Sequence, residues 1–116
     1  MAREQQLRQI LELQCGICKA MAHPLRLEIV ERLYRKEMPA SALRAALEIS
    51  KANLSKHMAL LIHAGLVVQR KTGRRLHYSL ADPEIHEACT VMRSVLYRRL
   101  KASEKVALAM RRPGGR

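Results

Sequence analysis

A mostly α-helical fold carrying a small β-hairpin is what this chain predicts, and three observations lead there. Apolar residues recur at helical spacing through most of its length. Between Ile49 and Ala81 a capped helical segment runs directly into two β-compatible stretches around a tight turn. That same stretch holds no acidic residue between Glu48 and Asp82, while Lys51, Lys56, Arg70, Lys71, Arg74 and Arg75 all lie within it. A helix followed at once by a basic hairpin is the pattern of a winged helix-turn-helix, and its one-sided charge points to a polyanion.

The chain has 116 residues, enough for one domain, expected over 1–110. A domain of this size buries only about two thirds of its unfolded surface, so a partner subunit would add needed cover. Phe and Trp are absent, and the core must be built from Leu, Ile, Val, Met and Ala. The formal charge of +12, with a pI near 10.5, exceeds what solubility requires and suggests nucleic acid or an anionic surface. A membrane is disfavoured, because no apolar run approaches the roughly 18 to 20 residues of a spanning helix. Met1 to Glu12 is too charged for the apolar centre of a signal peptide. A cytoplasmic protein follows as the expectation, with its three cysteines reduced unless they serve a redox or metal role.

Arg3 to Met21 places Leu7, Ile10, Leu11, Ile17, Cys18 and Met21 on one side and Glu4, Gln5, Arg8, Gln9 and Glu12 on the other, an amphipathic helix. Gly16 costs it about 1 kcal/mol relative to Ala. His23-Pro24 ends this helix and starts the next, since proline at a first helical position gives up an amide without a partner anyway. Leu25, Leu27, Ile29, Val30 and Leu33 make that second helix, to about Arg35, central to the core. Met38-Pro39 is expected as a connector, Ser41 to Leu47 as a third helix, and Glu48 to Ser50 as the turn into the fourth. There Ser50 caps, Leu54, Met58, Leu61 and Ile62 form the apolar face, and Gly65 supplies a left-handed end. Leu66 to Lys71 and Leu76 to Leu80 are the hairpin strands, with Thr72-Gly73 at the turn. Asp82-Pro83 then starts a long helix whose stripe of Ile85, Cys89, Met92, Val95, Leu96, Leu100, Val106 and Met110 outruns one small core. With the first helix it forms the expected homodimer surface, and 111–116 is expected as a frayed basic tail.

A helix-turn-helix inserts the amino end of its second helix into the major groove, which makes Lys51, Asn53, Lys56 and His57 the candidates for base edges. Lysine donates to guanine, and asparagine pairs two ways with adenine. Ser50 and Ser55 suit phosphate oxygens, as do Arg70, Lys71, Arg74 and Arg75 at or beside the hairpin tip. A polar, basic helix face is often merely solvated; the unbroken absence of acids through the wing favours DNA here. His77 and Tyr78 are ambiguous, with Tyr78 expected to pack at the hairpin base.

The order of elements, with KAMAHPLRLEIVERL over Lys19 to Leu33, ISKANLSKHMALLIHAGLV over Ile49 to Val67 and KTGRRLHYSL over Lys71 to Leu80, resembles the ArsR/SmtB family of bacterial winged-helix repressors. The resemblance spans nearly the whole chain. It implies a homodimer built from the first and last helices and double-stranded DNA as partner. Two recognition helices would sit one DNA turn apart, roughly 34 Å, on an imperfect palindromic operator, with release when an inducer binds. One family metal site uses paired cysteines in the first helix of the helix-turn-helix, and Ala40 to Leu47 has none. A second uses Asp and His at the start of the last helix with His and Glu from the partner's end. Asp82, Glu84, His86 and Glu87 resemble its first half, but no histidine follows Arg93.

The signal is left to Cys15 and Cys18, three apart on one helical face, and to Cys89 on the last helix. Three readings stand open. Each thiol can be packing alone, since free cysteine is commonly buried. Cys15, Cys18 and Cys89 can form a disulfide or sulfur-bridged switch. They can also supply three thiolates to a soft metal or metalloid inducer such as arsenite, lead or cadmium. No cofactor is otherwise required. An oxidoreductase built on Cys15-Gly16-Ile17-Cys18 is disfavoured because the pair lies inside a helix with no preceding strand, and no other catalytic set stands out, so no enzyme is expected. A nonspecific architectural DNA-binding protein with structural cysteines is the rival.

Overall fold

The computed structural model describes residues 2–111, which form two units divided after Ile85. The expected basic tail lies outside the described residues, apart from the backbone of Arg111. In order, the elements are α1 (Ala2–Met21), α2 (Pro24–Arg35), β1 (Met38–Pro39), α3 (Ala40–Leu47), α4 (Lys51–His63), β2 (Val67–Thr72), β3 (Arg75–Leu80) and α5 (Glu84–Arg111).

The first unit is assembled around α2, whose Ile29, Val30 and Leu33 are buried. Leu43 and Leu47 of α3, Leu54, Met58 and Leu61 of α4, Leu66 and Val67 at the start of the hairpin, and Tyr78 of β3 complete the interior. The spacing of Leu54, Met58 and Leu61 is the inward stripe that a 3.6-residue repeat requires. Tyr78 packs at the hairpin base as expected, and burial raises its phenol pKa above the usual value.

Local chemistry sets the boundaries. The His23 ring accepts a hydrogen bond at its Nδ1 from the Leu25 amide at 3.0 Å and so caps α2, with Pro24 at the first helical position. Ser50 Oγ accepts from the Asn53 amide at 3.1 Å and caps α4. The turn between α3 and α4 passes through Glu48 at φ 55°, ψ 48°, a left-handed conformation uncommon for a residue with a Cβ. Gly73, at φ 62°, opens the two-residue hairpin loop Gly73-Arg74 between the paired Thr72 and Arg75. The tight turn is thus one residue later than Thr72-Gly73.

Met38-Pro39 is a strand rather than a connector. It pairs antiparallel with β3, Met38 against Tyr78 and Pro39 against His77, so the hairpin is part of a three-stranded sheet of order β1-β3-β2. The reason is positional: β3 would otherwise be an edge, and two residues suffice to cover its base.

Arg26 ties three helices of this unit. Its Nε donates to the carbonyl of Ala20 near the end of α1, and its Nη1 donates to Nδ1 of His57 on α4 at 3.0 Å. Because a guanidinium has only donors, His57 must accept at Nδ1 and carry its proton on Nε2. The His23 ring lies 4.6 Å away, centroid to centroid. Burial, then the charges of His23, Arg26 and Lys56, hold the His57 imidazole below its usual 6.5. Above pH 6.5 His57 is neutral in both folded and unfolded chains. As the pH falls below 6.5 the unfolded chain binds a proton that the folded one resists, so stability drops with acidification. Urea unfolding at pH 7.5 and 5.5 checks this: His57→Gln, whose amide oxygen still accepts from Arg26, should lose part of the pH dependence of the wild type. An equal dependence in the two proteins would exclude His57 as its source.

In the second unit α5 continues as one helix to Arg111. Its amino end is held by Asp82, whose Oδ1 accepts from the Glu84 amide at 2.9 Å. Among the described residues no helix is long and apolar enough to cross a membrane.

Candidate nucleic-acid interface

With Leu54, Met58 and Leu61 turned inward, α4 presents Lys51, Asn53, Ser55 and Lys56 to solvent, and all four are exposed. Ser50, also exposed, already accepts the capping bond from Asn53, but its hydroxyl hydrogen is still available to a phosphate oxygen. His57 is different. It is only 8% exposed and engaged by Arg26, so it belongs to the packing between α2 and α4 and not to the solvent face expected for it. Its place in the helical repeat, one residue before Met58 and three after Leu54, puts it at the margin of the inward stripe. A polar side chain there turns inward when a buried partner can meet it.

The wing divides in the same way. Lys71, Arg74 and Arg75 are exposed at or beside the Gly73-Arg74 loop. Arg70 is also exposed but is paired. Its Nη2 and Nε donate to the two carboxylate oxygens of Glu37 at 2.8 and 3.2 Å, and its Nη1 donates to Thr72 Oγ1 at 2.6 Å. The hydrogen bond from Arg70 holds the Glu37 carboxyl below its usual range, and the same bond raises the Arg70 pKa. Such a two-point fork fixes the guanidinium plane along the sheet. The absence of acids from residues 49–81 therefore did not leave every wing cation unpaired, because the partner comes from 33 residues earlier. Nothing in the local pattern marks Glu37 as that partner.

Arg44 is a basic residue near the interface that sequence reasoning missed. It sits half-buried on α3, three residues after Ser41, on a helix read only as support for α4. The one available signal was its position one turn after the start of the first helix of the helix-turn-helix, beside the stripe of Leu43 and Leu47.

The thiols lie elsewhere. Cys15 and Cys18 are exposed on α1, and Cys89 is half-buried on α5. Among the described residues of one chain, no group of three or more His, Cys, Asp or Glu is arranged to hold a metal ion.

The comparisons with known proteins agree with this geometry. A family model described as a helix-turn-helix domain matches residues 21–70, which run from the end of α1 into β2. An uncharacterized HTH-type transcriptional regulator of Mycobacterium tuberculosis, Rv0081, is 35% identical over 100 residues, covering 85% of this chain and 86% of that protein. A transcriptional repressor SmtB homolog of Synechocystis is 36% identical over 66 residues, covering 57% of this chain and 50% of that one. Among solved structures, the crystal structure of Rv0081 superposes with a TM-score of 0.73 at 34% identity, over 84% of this chain and 96% of that chain. The fold is shared with the homodimeric winged helix-turn-helix domain of Mb0332 from Mycobacterium bovis, a possible ArsR-family regulator, with a TM-score of 0.75 at 24% identity over 84% and 90% of the two chains. With an exposed basic recognition helix, a basic wing and relatives of this kind, the chain belongs to the ArsR/SmtB family of winged helix-turn-helix, DNA-binding transcriptional regulators.

Proposed function

We propose that this protein is a homodimeric repressor that occupies an imperfect palindromic operator in the cytoplasm and is released by a signal acting on its thiols. The observation that carries the DNA half is the common exposure of Lys51, Asn53 and Lys56 on the first turns of α4 with Arg74 and Arg75 at the wing tip. In this reading Lys51, Asn53 and Lys56 contact base edges, and Ser50, Ser55, Lys71, Arg74 and Arg75 contact phosphates. Arg70, already neutralised by Glu37, contributes less than the two tip arginines.

The dimer is supported by apolar surface that the single chain leaves uncovered. On α1, Leu7, Ile10 and Leu11 are about half exposed or more, and on α5 the same holds for Met92, Leu96 and Leu100. Stripes of this length on both helices are large for a monomer's surface, and a two-fold pairing would bury each against its copy. Residues 1–110 then act together as the DNA-binding and dimerisation domain. The thiols lie on those same two helices. Cys15 and Cys18 share one face of α1, so a disulfide or persulfide bridge, or a soft ion such as arsenite, lead or cadmium held with Cys89, would disturb the pairing that spaces the recognition helices.

Sedimentation equilibrium should give a dimer, and Leu96→Glu, which puts a charge on the α5 stripe, should shift it toward monomer and weaken DNA binding. A wild-type monomer at micromolar concentration would sink the dimer.

Selection from a random-sequence duplex library should recover a palindromic site. If each subunit neutralises about four phosphates, log affinity should fall against log salt with a slope near −7. Asn53→Ala should relax the sequence preference, Arg74→Ala should weaken all sequences alike, and Arg70→Ala should do so less. An Asn53→Ala protein with unchanged preference would rule Asn53 out as a base reader, and recovery of no preferred sequence would favour an architectural protein.

Titrating reduced protein onto the selected duplex, with and without hydrogen peroxide, polysulfide, arsenite or cadmium, tests the signal. At least one treatment should lower affinity tenfold or more, as an order of magnitude for coupling between sites, and Cys15→Ser, Cys18→Ser or Cys89→Ser should abolish the response. Equal affinity throughout would assign the cysteines to packing alone.

A further inference from the structure

A cleft of about 280 Å³ opens between the start of α3, the start of α4 and the wing tip. Its walls carry four cationic side chains: Arg44 from α3, Lys51 from α4, and Arg74 and Arg75 from the hairpin loop and the first residue of β3. Pro39 and Ser41 lie at its base, where α3 begins with no side chain capping it. No acidic residue lines it. Among the described residues none of these four cations is in an ion pair, in contrast to Arg70 and Arg32, which have carboxylate partners.

Four unpaired positive charges facing one small concavity repel one another, and Arg44 is half-buried, where water screens that repulsion least. Such an arrangement is relieved by an anion in the cleft. Size and shape narrow the choice. About 280 Å³ has room for a phosphodiester group. Lys51, Arg74 and Arg75 of its lining are exposed, so a polymer lying across the start of α4 and the wing tip can place one of its phosphates there.

We propose that this cleft seats one backbone phosphate of bound DNA, with Arg44 and Lys51 on one side of it and Arg74 and Arg75 on the other. The proposal rests on the DNA-binding reading above and goes beyond it in two respects. It makes Arg44 a DNA contact, and it moves Lys51 from reading bases to holding the backbone. A single phosphate gripped from both sides ties the wing to the recognition helix, which sets the depth at which Asn53 meets the groove. Charge-assisted contacts of this kind position the protein without regard to sequence.

The test uses two duplexes of equal length, one selected from a random library and one scrambled, with affinity measured across a salt series. Arg44→Gln and Lys51→Ala should each weaken both duplexes by a similar factor, roughly tenfold, and flatten the salt slope by about two per dimer. Arg44→Lys should retain most of the slope. A methylphosphonate scan of the selected duplex should find one position per half-site where removing the phosphate charge weakens wild type but leaves Arg44→Gln unaffected. Because Arg44 is half-buried, the thermal melt of each variant is recorded, and the exposed Arg74→Ala/Arg75→Ala pair should show the same methylphosphonate insensitivity. Wild-type binding with an unchanged affinity and slope in Arg44→Gln would overturn the cleft while leaving DNA binding intact. Loss of sequence preference in Lys51→Ala would return that residue to base reading and also overturn it. Submillimolar binding of inorganic phosphate at the Ser41 amide, followed by NMR without DNA, would identify a free-anion site instead. Failure of wild type to bind either duplex would defeat the functional reading itself.

Discussion

The face that α4 buries decides the face it can offer. Leu54, Met58 and Leu61 lock the helix onto α2 and the hairpin base, and burying each such side chain contributes about 1.5 to 3 kcal/mol. With that stripe committed, rotation of α4 about its axis would expose leucines and bury polar side chains, so Asn53 and Lys56 are held outward by the core. The Ser50 cap and the left-handed turn at Glu48 then fix where the helix starts, which leaves Lys51 exposed at its amino end. The candidate base readers Asn53 and Lys56 are thus positioned by side chains of the core.

The distribution of charge follows a second constraint. A chain with a formal charge of +12 cannot pair its cations internally, and the few carboxylates are spent where a side chain must be held still. Glu28 pairs with Arg32 one helical turn away, and Glu37 holds Arg70 flat along the sheet. Both pairs are exposed, so their worth to stability is small and screened by salt. Their effect is on geometry, since they remove two arginines from the pool of available positive charge and leave the wing tip and the α3–α4 corner as its concentrated part. Electrostatic selectivity here comes from where acids are present as much as from where they are missing.

Much of this was legible in the sequence because short-range chemistry determines it. Proline after His23, serine before Lys51, and the glycines at 65 and 73 mark boundaries that need no knowledge of the rest of the chain, and the helical spacing of Leu54, Met58 and Leu61 marks the inward face. What escaped is long-range. Two residues of strand at Met38-Pro39 carry no periodicity; only the base of β3 makes them a strand. The Glu37–Arg70 pair joins residues 33 apart, and the Arg26–His57 contact joins residues 31 apart. His57 was misjudged for the same reason: a histidine at the margin of a stripe can face either way, and the choice lies with an arginine on another helix. Arg44 was overlooked because a cleft is a property of three elements meeting, which no single segment encodes.

Within the first unit Arg26 joins the end of α1 to the recognition helix. Its guanidinium holds the Ala20 carbonyl, two residues beyond Cys18, and at the same time the His57 ring in the middle of the recognition helix. A guanidinium is planar and its donors are fixed in direction, so it cannot follow a displaced carbonyl and keep the imidazole bond in line. Under the proposed thiol signal, chemistry at Cys15 and Cys18 that tightens or unwinds the last turns of α1 would move that carbonyl. The consequence is discrete: either the Arg26–His57 bond survives and α4 keeps its seat on α2, or it breaks and leaves a buried imidazole without its partner, a state costing roughly 1 to 3 kcal/mol. A coupling of that size would let the proposed thiol signal alter DNA affinity by about one to two orders of magnitude.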